Sequence, residues 1–87
     1  MSEDFVLVDL DNEQKLIIRD KASFFIFDEE TKIDLNNKRK KWIQFKKSTI
    51  TDIIGELSYY YNRSKNEYES MVLDELIGHL ENHENYF

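Results

Sequence analysis

Apolar residues recur along this 87-residue chain with two different periods. In the first half they come in short runs: DFVLVDL (4–10), KLIIRD (15–20), SFFIF (23–27), KIDL (32–35) and KWIQF (41–45). Each run is rich in β-branched or aromatic residues and is bounded by polar turn candidates (DNEQ, DEET, NNKRK), so each reads as a strand. Connections this short predict antiparallel neighbours, since a parallel pair needs a crossover of about a dozen residues. Alternation assigns the faces: Ile43 and Phe45 oppose Lys40, Trp42, Gln44 and Lys46, Ile33 and Leu35 oppose Lys32 and Asp34, and Leu16 and Ile18 oppose Lys15 and Ile17. Residues 5–8 and 24–27 are apolar on both faces, which predicts central strands.

From residue 49 the period lengthens. Ile50, Ile53, Ile54, Leu57, Tyr60 and Tyr61 form one stripe at helical spacing, with Thr49 and Asp52 as a capping-box pair at its start. The capping pattern repeats with Ser64 and Glu67, ahead of a second helix carrying Tyr68, Met71, Val72, Leu73, Leu76, Ile77 and Leu80. That apolar arc is wide enough to touch the first helix and either the sheet or a second copy of the chain. The expectation is a single α+β domain over residues 1–87. It consists of an antiparallel meander of four or five strands (about 4–46) followed by two C-terminal helices (about 50–62 and 65–82) packed on one face.

Composition narrows the classes. Hydrophobic residues at 40% and aromatics at 14% exclude a disordered chain, and a chain this short excludes a large enclosed cleft. The absence of Cys removes disulfides and thiolate metal sites and fits a reducing compartment. No apolar run approaches the ~18 residues that span a bilayer, and MSEDFVLVDL carries acids where a signal peptide needs bases, so the expectation is a cytoplasmic protein without a membrane partner. A single Ala, no Pro, nine Ile, nine Lys and seven Asn indicate an AT-rich coding sequence, as in low-GC bacteria and phages.

Charge changes the picture most. The net charge is -6, yet KRKKWIQFKK (38–47) holds six cations, and the rest of the chain carries 18 acids against six bases. On the outward face of that strand, Lys40, Trp42 and Lys46 alternate cations with a flat ring, a combination that binds single-stranded nucleic acid, and Arg19 extends it if its strand is a neighbour. The competing reading is a solvated strand whose lysines discourage edge-to-edge aggregation. The acidic excess elsewhere repels phosphate polymers and favours that second reading.

The acids form a pattern of their own. Glu67, Asp74 and Glu81 recur every seven residues and line one side of the second helix at ~10 Å intervals. Such a surface suits a protein partner with a basic patch, with Tyr59 and Trp42 as aromatic anchors. The primary expectation is therefore a small acidic, non-enzymatic binding protein that engages and inhibits a larger protein, as immunity and phage anti-defence proteins do. The alternative is a single-stranded nucleic-acid binder using Lys40, Trp42, Lys46 and Arg19.

Enzymatic chemistry has little to stand on. No Ser lies in a nucleophile elbow, the DEE run at 28–30 is a solvated turn, and Gly55 and Gly78 are isolated within predicted helices. Glu75, His79 and His83 share one helical face, but a metal site needs further converging ligands, so neither a metal nor a cofactor is expected.

Overall fold

The computed structural model describes the backbone of residues 5–85 and the side chains of residues 5–83. Its elements in order are β1 (Phe5–Asp9), α1 (Asn12–Lys21), a 3-10 turn (Ser23–Phe25), α2 (Glu29–Asn36), β2 (Trp42–Lys46), α3 (Lys47–Arg63) and α4 (Glu67–Asn85). The fold is α+β, with a two-stranded antiparallel sheet and four α-helices among the described residues. This overturns the meander: of the five predicted strands, only the first and last are strands. Asp4, where the first was predicted to begin, lies outside the described residues.

Two of the three lost strands failed for a common reason, since the polar runs before them, read as turns, are helix starts. In DNEQ, Asp11 Oδ1 accepts from the Gln14 amide at 2.8 Å while Gln14 Oε1 accepts from the Asp11 amide at 3.0 Å. This capping box satisfies amides at the α1 N-terminus and sends KLIIRD into a helix, with Lys15 and Ile18 inside and Leu16 outside. In DEET, Asp28 accepts from the Glu30 amide at 3.0 Å, and Glu29 and Glu30 favour the positive end of α2. KIDL follows as helix, and α2 buries Leu35 from it and Thr31 just before it. SFFIF is a tight connector, with Ile26 buried and Phe24 and Phe27 exposed. Residues 24–27 are thus no central strand, and in β1 Phe5 and Leu7 face outward rather than under cover.

β1 and β2 pair antiparallel, with Val6 opposite Phe45, Val8 opposite Ile43 and Asp9 opposite Trp42. Val6, Val8, Ile43 and Phe45 are all at most 1% exposed and form the inner face of the ribbon. They join Ile18, Ala22, Ile26 and Leu35 from the intervening segment, Ile50, Ile53 and Leu57 of α3, and Leu73, Leu76 and Leu80 of α4 in one core. α3 and α4 make the most extensive contact between any two elements.

The two helix starts differ from expectation as well. α3 begins at Lys47 without a side-chain cap, two residues before Thr49, so the Thr49–Asp52 box does not form. α4 is capped by Asn66 rather than Ser64, because Asn66 Oδ1 accepts from the amides of Tyr68 at 2.9 Å and Glu69 at 3.2 Å. Among the described residues, no helix is long and apolar enough to cross a membrane.

Candidate functional site

The ribbon's inner face is closed by the helices, and each of its edges has one carbonyl engaged by a side chain. Leu10 N donates to Lys41 O at 2.9 Å, which sets Val8–Ile43 and Val6–Phe45 as hydrogen-bonded pairs and turns the backbone groups of Asp9 and Gln44 away from the partner strand. The Gln44 carbonyl accepts from Thr31 Oγ1 of α2 at 2.7 Å, and the Asp9 carbonyl lies 2.7 Å from His79 Nε2 of α4. With these carbonyls engaged, strand addition is disfavoured at either edge.

The outer face is different. Phe5, Leu7 and Asp9 from β1 and Trp42, Gln44 and Lys46 from β2 all point that way. Phe5, Leu7 and Trp42 are 46%, 52% and 49% exposed. Phe27, just ahead of the α2 N-cap, is exposed and borders a small cavity shared with Phe45 and Lys46 of β2.

A second feature lies at the other end of the ribbon. Lys15 is a buried cation, and its ammonium donates to the carbonyls of Asn37, at 2.8 Å, and Lys40. The clamp fixes the loop before β2, so that Lys38, Arg39 and Lys41 line a cavity of about 430 Å³ together with Asp9, Asp11 and His79. The basic run is therefore not a uniformly positive surface: two carboxylates share its cavity, and Lys40 Nζ stands 4.0 Å from Asp34.

The Asp9 side chain ties β1 to α4 at this end. Its Oδ1 lies 3.2 Å from Nε2 of both His79 and His83, which stack edge to face with ring centroids 4.8 Å apart. Partial burial pushes the Asp9 carboxyl up, but its own backbone amide, the charge of His79 and the contact with His83 outweigh that and hold it below the ordinary carboxylate value. Glu75, which spacing had grouped with the two histidines, is exposed, and Asp9 converges on them instead. The sequence held only half of this signal, in the i, i+4 histidines; the carboxylate comes from 70 residues away along the chain.

The other predicted site residues are distributed rather than gathered. Glu67, Asp74 and Glu81 are exposed on α4. Helical geometry puts them on the flank roughly opposite His79 and His83, which face β1, so they do not share a surface with Trp42. Tyr59 is half-exposed on α3 beneath the Arg63 guanidinium, 4.5 Å from the ring centroid. Arg19 sits on α1 and donates to Asn36 Oδ1 at 2.7 Å; with no strand to carry it, it does not extend the Lys40–Trp42–Lys46 face. At the start of α4, the Tyr68 hydroxyl donates to Glu13 at 3.1 Å, which ties α1 to α4 and holds the phenol above its ordinary value. No protein-family model, curated protein or solved structure matches the chain.

Proposed function

We propose that this protein is a small non-enzymatic binding module that docks the outer face of its β ribbon on a larger protein and inhibits it by covering that surface. One observation carries the reading: Phe5, Leu7 and Trp42, three large apolar side chains each about half exposed, stand on one sheet face that no described element covers. Exposed apolar residues scattered singly need no explanation, whereas a contiguous group marks an interaction site. The engaged carbonyls at the ribbon edges favour face-to-face docking over pairing with a partner strand. Trp is among the residues that dominate binding energy when desolvated at the centre of an interface.

The acids have a separate part in this reading. Glu67, Asp74 and Glu81 lie off the docking face and act through the overall field of a molecule of net charge -6, which speeds encounter with a basic partner. Capture from source-cell lysate on the immobilised full chain tests the division of labour. A stoichiometric protein should be lost in Trp42→Ala and Leu7→Ser. With Asp74→Lys and Glu81→Lys the same protein should bind more slowly and with a weaker salt dependence. Capture that survives Trp42→Ala and Leu7→Ser, or recovery of nucleic acid alone, would overturn the reading.

The second reading, single-strand nucleic-acid binding, draws support from the half-exposed Trp42 beside the cavity that Lys38, Arg39 and Lys41 line. Asp9 and Asp11 in the same cavity and the Asp34 contact of Lys40 weaken it. Titration of labelled single-stranded DNA and RNA at two salt concentrations decides. Binding that falls steeply with salt and fails in Trp42→Ala supports this reading, and no binding at low salt removes it.

A further inference from the structure

We propose that Asp9, His79 and His83 form a binding site for one divalent transition-metal ion, zinc by preference. His79 and His83 are one helical turn apart on α4, and Asp9 reaches them from the end of β1. Each of the three offers one ligand atom, and those atoms lie within 4.8 Å of one another. A tetrahedral ion with bonds of roughly 2.0–2.2 Å to nitrogen and oxygen holds its ligand atoms about 3.3–3.6 Å apart. Two of the three edges, Asp9 Oδ1 to each Nε2, already measure 3.2 Å. Closing the third requires a shift of at most about 1.5 Å, which ring rotation supplies.

The surroundings also fit. The three side chains are 20–33% exposed, neither sealed from a hydrated ion nor freely mobile in solvent. Two elements already fixed by the core supply the ligands, so little ordering remains to be done on binding. Asp9 and His79 also line the cavity of about 430 Å³, leaving room for water as the fourth ligand. Two imidazoles and a carboxylate suit zinc, whereas magnesium takes mainly oxygen ligands in octahedral geometry. The His79 nitrogen 2.7 Å from the Asp9 carbonyl carries a proton when it donates there. An incoming ion replaces that proton at Nε2, and the ring then carries its proton on Nδ1.

The competing account is a metal-free clamp, in which both histidines serve only as hydrogen-bond partners of Asp9. Calorimetric titration of the metal-free full chain with Zn²⁺, with Mg²⁺ as the control, separates the two, and Co²⁺ adds a direct reading through the visible bands of a four-coordinate ion. The expected result is one Zn²⁺ per chain, no binding of Mg²⁺, and a melting temperature raised by roughly 10–20 °C at a hundredfold excess over the dissociation constant. Asp9→Asn and His83→Gln should each weaken binding at least about tenfold. Absence of one-to-one binding, or unchanged affinity in Asp9→Asn, would overturn the site. Should those variants fold poorly, NMR of the unmodified protein decides: the ring signals of both histidines and the Asp9 carboxylate carbon must shift together on Zn²⁺ addition, and a shift confined to other residues refutes it. The outcome is independent of partner docking, which is read at Trp42 and Leu7.

Discussion

The segment from Phe5 to Lys46 and the helical hairpin from Lys47 to Asn85 expose different kinds of large apolar residue. In the first, Phe5, Leu7, Leu16, Phe24, Phe27, Ile33 and Trp42 are all more than 40% exposed, and none but Trp42 has a polar atom in its side chain. In the second, the exposed set is Tyr59, Tyr61, Tyr68 and Met71. A tyrosine at the surface keeps its hydroxyl hydrated or bonded, as Tyr68 does with Glu13. The hairpin has thus turned its purely aliphatic stripe inward, with Leu73, Leu76 and Leu80 buried and Val72 and Ile77 partly so, and leaves little for a second copy to cover. The first segment has more apolar surface than its two short strands and two short helices can bury. That surplus is what a binding partner would remove from water.

If the hairpin supplies the framework, damage there should unfold both regions at once. Leu57→Ala removes a fully buried side chain of α3 and should cost about 3 kcal/mol, a large share of the ~5–15 kcal/mol that holds a domain together. Urea unfolding followed by far-UV circular dichroism, which reads the helices, and by Trp42 fluorescence, which reads the ribbon, should give one shared midpoint in both proteins. A fluorescence midpoint well below the helical one would split the comparison into two units of separate stability.

The same contrast governs what could be read from the chain. Helices α3 and α4 are 17 and 19 residues long, enough for a 3.6-residue period to declare itself. α1 and α2, at 10 and 8 residues, hold barely two or three turns, and over four to six residues an apolar run fits either period. What distinguished them was the chemistry of their starts: Asp11 with Gln14, and Asp28 ahead of Glu29 and Glu30, are capping signals that also resemble turns. In α1 the pattern was also inverted, because Lys15 is buried and Leu16 exposed. No periodicity argument anticipates a cation whose two carbonyl acceptors lie 22 and 25 residues further on. Trp42 was legible from strand alternation, and the histidine pair from helical spacing. What β1 sets beside them, Asp9 opposite Trp42 and next to both histidines and Leu7 opposite Gln44, required the register.

Polar ties, rather than packing alone, hold the first segment's loops, and removing one sharpens the comparison at intermediate cost. Lys15→Met keeps the aliphatic stem but leaves the Asn37 and Lys40 carbonyls without their donor. A hydrogen bond from a charged group contributes ~1.5–3 kcal/mol, so a loss of about 2 kcal/mol is expected, with faster amide exchange in residues 37–41 and little change in the middle of α4. Equal acceleration in both regions would show that the clamp acts globally. Asp9→Asn should cost less, under about 1 kcal/mol, because the carboxylate is partly exposed. Its signature is pH dependence, measured in EDTA. The folded carboxyl titrates below its unfolded value of ~3.9, so its stabilisation is present above that pH and disappears as pH falls through the folded value. The variant should lose that part of the acid slope and keep the rest.

The smallest effect is expected where the exposed apolar surface is greatest. Phe27 is 84% exposed, so its ring contributes little to the core despite standing beside buried Ile26. Phe27→Ser should shift the urea midpoint by no more than the ±0.5 kcal/mol typical of surface positions, although the substitution removes a whole aromatic ring. A loss above about 1 kcal/mol would mean that the ring is packed in solution, and would shrink the apolar surplus on which the contrast between the two regions depends. A neutral result leaves an exposed Phe that folding does not require, near Lys46 at the end of β2. Retained stability combined with weaker capture of the partner would then extend the docking surface beyond the ribbon to the start of α2.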